Sequence, residues 1–127
     1  MEAKVDTNNV VASLHSSMKN KDVALKSIFD KIDESTVQLD SDLSTAQKYR
    51  IVLSVEFLLF RARTMVETEH INIKSIIADP TVEQTIKGMF AKRDQYLASV
   101  SAKITTMTND ISIIEKAVYA EQTIFKN

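Results

Sequence analysis

The sequence predicts an all-α fold: an elongated antiparallel bundle of three long helices with coiled-coil-like packing. Three observations carry that expectation. Gly88 and Pro80 are the only glycine and the only proline in 127 residues, where average usage gives roughly nine and six. Hairpins and sheets consume those residues in their turns, so their scarcity points to long helices with few connections. Apolar residues also recur at alternating steps of three and four over three long stretches, a spacing that sets side chains on one stripe of a helix. Finally, the connections between those stretches, at Asp40 to Leu43 and at Asp79, are short. No linker, low-complexity tract or repeat of solenoid length interrupts the chain, which reads as a single helical-bundle domain over residues 1–127.

The first helix is expected over residues 9–39. Val11, Met18, Leu25, Ile32 and Leu39 occupy one heptad position, and Leu14 and Ile28 the partner position, which Lys21 and Ser35 interrupt. Asn20 to Asp22 is a weak spot for bending.

The second helix is expected over residues 44–77. Ser44 and Gln47 have the spacing of a capping box, in which the hydroxyl and the side-chain amide each satisfy a backbone N–H at the helix start. Val52, Leu59, Val66 and Ile73 form one seam position; Val55, Ala62 and Ile76 form the other, broken by Glu69. Leu53, Phe57 and Phe60 carry apolar surface around most of the remaining circumference. Such a helix must be covered on most sides, either as the centre of the bundle or by a partner chain.

The third helix is expected over residues 80–126, with Asp79 as its N-cap and Pro80 in its first position, where the missing N–H costs nothing. Its seam runs through Ile86, Phe90, Leu97, Val100, Ile104, Met107, Ile111, Ile114, Val118 and Phe125, with Arg93 and Glu121 as the misses. Thr108, Asn109 and Asp110 favour caps, and a break at Asn109 would make a four-helix bundle. The seam keeps its phase across that point, which favours one helix of about 45 residues, roughly 70 Å long.

These lengths suggest a function. Antiparallel to a shorter second helix, the third would overhang beyond about residue 114, exposing Ile114, Val118, Tyr119, Ile124 and Phe125. From Gln95 to Ile114 only Lys103 and Asp110 are charged. Ser99, Ser101, Thr105, Thr106, Thr108 and Ser112 fill positions where a solvated helix prefers Glu and Lys, as if this face met other helices. Gly88 would fit a close helix approach. Expected is a non-enzymatic interaction or assembly protein: a structural subunit, scaffold or small chaperone-like adaptor. Through helix 3 it would bind a protein partner or form a homo-oligomer, with Ile114, Val118, Tyr119, Ile124 and Phe125 as the partner-binding residues. Truncation after Ile114 would then abolish association.

Other classes find less support. The net charge is −1, and no concentrated basic stripe or tryptophan is present, which disfavours nucleic acid. Asp30, Asp33, Glu34, Asp40 and Asp42 form an acidic corner that reads first as a solvated helix end. One glycine excludes phosphate-cradling and nucleophile-elbow motifs. The absence of cysteine excludes thiol chemistry and disulfides. Glu67-x-x-His70 has the spacing of a bundle di-iron motif, but a second copy is missing, because Ala12 stands three residues before His15. No cofactor or metal is therefore expected, and a His15–His70 metal carrier ranks behind the interaction reading. Met18, Met65, Met89 and Met107 lie at or near the seams and read as core fillers. A membrane-active helix centred on Ile51 to Phe60 is the secondary alternative. That segment is too short to span a bilayer, and no signal peptide is evident. The compartment is cytoplasmic by default.

Overall fold

The computed structural model describes residues 7–126, with side chains for residues 8–121. It is a bundle of three helices: α1 over Thr7–Gln38, α2 over Thr45–Ala78 and α3 over Gln84–Lys126. At 1.5 Å per residue they extend about 48, 51 and 65 Å. Helix α2 packs on both neighbours, while α1 and α3 meet mainly through long side chains.

The core is the seam. Leu25, Ile28 and Ile32 from α1, Val52, Val55, Leu59, Ala62, Val66 and Ile73 from α2, and Leu97, Val100, Ile104, Ile111 and Val118 from α3 are buried. Phe29, Tyr49, Met65, Phe90, Met107 and Ile114 pack on its edges. Val11, Leu14 and Met18, in the first half of α1, are only half-buried. The weak spot at Asn20 to Asp22 lies within continuous helix, anchored by an ion pair from Asp22 described below.

Local chemistry sets the ends. The last turn of α1 tightens through three i→i−3 bonds from the N–H groups of Leu39, Asp40 and Ser41, which satisfy carbonyls that would otherwise lack partners. Ser44 and Gln47 form the full capping box on α2: the Gln47 N–H donates to Ser44 Oγ at 3.2 Å, and the Ser44 N–H donates to Gln47 Oε1 at 3.0 Å.

The start of α3 corrects the sequence expectation. Asp79 closes α2, its N–H donating to the Ile76 carbonyl at 3.2 Å. Its carboxylate is engaged by the N–H and hydroxyl of Thr81 at 2.9 and 2.7 Å, and the Val82 N–H returns to its carbonyl at 3.3 Å. With Pro80 second in this turn, where its fixed φ fits, the helix cannot begin until Gln84. The Lys87 N–H donating to Glu83 O marks its first turn.

Helix α3 then runs unbroken through Asn109, so the four-helix alternative does not occur. The hydroxyls of Thr105, Thr106 and Thr108 donate to the carbonyls of Ser101, Ala102 and Ile104. Satisfied within the helix in this way, they do not open a turn.

Candidate interaction surface

Two polar interruptions of the seam prove to be partners. Arg93 of α3 donates from Nε and Nη2 to the two carboxylate oxygens of Glu69 on α2, at 2.6 and 3.1 Å, and from Nη1 to Asp22 of α1 at 2.7 Å. The Arg93 and Glu69 side chains are only 5% and 9% exposed. The guanidinium also lies 5.2 Å from the Tyr96 ring centroid. Burial works against its charge, but the bonds and attraction of Glu69 and Asp22 outweigh burial and hold its pKa above the ordinary value. One residue from each helix thus meets in a single ionic layer that fixes relative register. The other interruption of the α3 seam, Glu121, accepts from Lys48 Nζ at 3.5 Å and Thr45 Oγ1 at 3.4 Å. These contacts tie the far end of α3 to the start of α2.

That tie bears on the expected partner-binding residues. With α3 beginning at Gln84, it keeps pace with α2 to Glu121. Val118 is buried in the chain's own core, and Ile114 packs against it. Tyr119 is exposed; the side chains of Ile124 and Phe125 lie outside the described residues. Ile114 and Val118 are therefore taken up by the chain's own core, beyond the point where the helix lengths alone end the pairing. The hydroxyl face of α3 is largely turned outward, with Ser99, Ser101, Thr105, Thr106 and Ser112 exposed. Gly88 has open space where a Cβ would stand, so no close helix approach explains it.

Exposed large apolar side chains occur on all three helices, Val23 and Val37 on α1 and Tyr96, Ile113 and Tyr119 on α3 among them, but α2 carries four on one line. Leu53, Phe57, Phe60 and Ile71 are 47%, 62%, 66% and 65% exposed. At about 100° per residue, these four fall on one narrow line along the helix. The buried seam of Val52, Val55, Leu59, Ala62, Val66 and Ile73 falls on the opposite side. Helix α2 thus carries two apolar stripes back to back, one filled by α1 and α3 and one open.

A recess of about 200 Å³ borders the open stripe on its α3 side, lined by Glu56, Leu59, Phe60, Arg63, Thr108 and Ile111. Glu56 Oε1 is buried there without a hydrogen-bond partner among the described residues. Arg63 donates only a long bond, 3.4 Å, to Thr108 Oγ1. On the other border of the stripe stand Arg50 and Arg61, both exposed.

Further polar features are local. In a cleft of about 290 Å³ lined by Glu67, His70, Asp94 and Ser101, among others, His70 Nδ1 lies 2.5 Å from Asp94 Oδ1, the geometry of an N–H donating to a carboxylate. His70 thus finds its partner on α3. Among the described residues no group of three or more histidine, aspartate or glutamate side chains is placed to hold a metal ion. His15 is exposed on α1. In the acidic corner, Asp30 pairs with Lys26 at 2.8 Å in solvent, and Lys103 covers the ring of Phe29 at 4.4 Å. No described helix is long and apolar enough to cross a membrane.

The fold and this surface define a three-helix bundle with an outward apolar stripe on its middle helix. Comparison with known proteins finds no matching family model, no matching curated protein and no matching solved structure.

Proposed function

We propose that this chain is a non-enzymatic helix-packing protein, an assembly subunit, scaffold or small adaptor, that binds protein through the outer stripe of α2. The observation that carries the reading is the row Leu53, Phe57, Phe60 and Ile71. Scattered exposed apolar residues are normal, but Leu53, Phe57 and Phe60 on successive turns, with Ile71 on the same line three turns on beyond Thr64, mark a contact surface. A straight apolar line on a rigid helix is the geometry of helix-on-helix recognition, in which anchors at steps of three and four enter a groove. Aromatic anchors dominate such contacts because they bury large area at little entropic cost. The end of α3, where Tyr119 is exposed and the sequence continues to Ile124 and Phe125, is a second contact region in this reading.

Photo-cross-linking tests this reading. With benzoylphenylalanine in place of Phe57, a discrete protein adduct is expected, competed away by excess wild-type chain and not by the Phe57→Ser/Phe60→Ser variant. The same group at the exposed Asn109 serves as control. Equal labelling at both positions overturns the reading. Adducts to lipid alone would replace it with the membrane-surface alternative, for which Arg50 and Arg61 beside the phenylalanines would be the relevant chemistry.

A further inference from the structure

Phe60 stands midway between Ile71 and Tyr49, the latter half-buried at the edge of the core, and Phe57 and Thr64 flank it more closely. An antiparallel copy of α2 laid against the stripe about a two-fold axis at Phe60 brings Phe60 against Phe60, Phe57 opposite Thr64, Leu53 opposite Glu67 and Ile71 opposite Tyr49. In an antiparallel pair each flank of one helix meets the same flank of the other. Glu56 and Arg63 share a flank and sit nearly equidistant from Phe60, so this axis sets Glu56 of each copy beside Arg63 of the other, twice over. The Phe60 contact and the Glu56–Arg63 pairs are therefore self-complementary, as an isologous interface requires.

We propose that the occupant of the α2 stripe is a second copy of this chain, related by a two-fold axis near Phe60, with reciprocal Glu56–Arg63 pairs closing the rim. This rests on the interaction reading above and names its partner. The buried, unpartnered Glu56 oxygen supports it independently. Buried polar atoms are normally satisfied, and a change of staggered rotamer at χ1 or χ2 of the glutamate carries this carboxylate from its recess to a guanidinium arriving over the stripe. Area agrees with a weak dimer. Four half-exposed large side chains per copy remove about 900 Å² of apolar surface in total, and the flanking residues bring the contact to the low end of specific interfaces. The expected dissociation constant is on the order of micromolar. The alternative flank, Arg50 and Arg61, would meet Thr68 and Asn72 or its own counterparts, so the Glu56–Arg63 side carries the complementarity.

Equilibrium sedimentation of the full chain decides it. The wild type should be a concentration-dependent dimer. Glu56→Arg sets two guanidinium groups against each other at both rim positions, and Arg63→Glu sets two carboxylates against each other there. Each variant alone should therefore dissociate at least about 10-fold more readily. In an equal mixture, one copy with two rim arginines meets one with two rim glutamates. Both cross-pairs are then opposite in charge, and dimers should recover near the wild-type midpoint. A merely structural role for either residue gives no rescue on mixing. Because the chain has no cysteine, Arg61→Cys offers a second readout that leaves Glu56 and Arg63 intact. A short bis-maleimide should link two copies of that variant and not two copies of Ser112→Cys. Wild type that stays monomeric at every concentration, a mixture no heavier than its components, or absent linkage of the Arg61→Cys chain overturns the inference. A competed adduct of foreign mass at Phe57, with the purified chain monomeric, overturns it while leaving the interaction reading intact.

Discussion

Replacing Arg93 with methionine should be among the most damaging single changes in this bundle. Methionine matches the stem of arginine and keeps the seam filled, so the loss is mainly electrostatic. It strands Glu69, 9% exposed, without the two bonds at 2.6 and 3.1 Å that satisfy its carboxylate. Removing one partner of a buried pair costs about 3–5 kcal/mol, because the other charge stays in low dielectric. Asp22 contributes little to that cost, since its side chain is 40% exposed and water replaces the guanidinium. Removing both buried charges gives the opposite result. Glu69→Leu with Arg93→Met extends the apolar seam through the layer and should fall between wild-type stability and about 4 kcal/mol above it. Urea unfolding at neutral pH, followed by helical circular dichroism, measures both. An Arg93→Met chain within about 1 kcal/mol of wild type, or a double variant as unstable as the single, would refute the buried layer as described.

Three further outcomes follow from local geometry. Gly88→Ala should stabilise α3 by about 1 kcal/mol in the same assay, because the added methyl meets open space; destabilisation would reveal a neighbour at that point. Ser44→Ala should cost about 1 kcal/mol by removing the capping box at the start of α2, and no loss would show that the cap is redundant. The Asp79 carboxyl should titrate below its ordinary 3.8 in a carbon-detected magnetic resonance experiment. Hydrogen bonds from the Thr81 hydroxyl and N–H, then the charge of Lys87, favour its ionised form. A carboxylate depressed by folding stabilises above its unfolded pKa and loses that contribution as pH falls through its folded value, so the turn should loosen only in acid. Thr81→Ala should move the midpoint up, and an unchanged midpoint would contradict the turn geometry.

The helices are legible in the sequence because the seam obeys a period that only a helix satisfies. Helix α3 is legible as one piece because Ile104, Met107, Ile111 and Ile114 keep phase across Asn109. The Ser44–Gln47 cap is readable because both its partners are local. What stays hidden involves partners far apart in sequence. Glu69 and Arg93 each look like a flaw in a single stripe, and only the antiparallel register of α2 and α3 turns two flaws into one pair. Helix lengths read from the sequence exaggerate the overhang, because Asp79 and Thr81 hold the loop residues in a turn. That turn delays α3 until Gln84 and carries Val118 into the core. Leu53, Phe57 and Phe60 are visible as apolar circumference. Which side of α2 remains open depends on where α1 and α3 settle, since a helix with two opposed stripes offers either one to the core.

Two places for the binding surface compete, the outer stripe of α2 and the end of α3, and sedimentation of two altered chains separates them. Phe57→Ser/Phe60→Ser changes only exposed side chains, while truncation after Glu121 removes the end of α3 and spares the Lys48 tie. The serine variant should lose association at concentrations where the truncated chain keeps it. Association that survives the two serines and vanishes with the last residues would put the contact at the end of α3, against the stripe on α2.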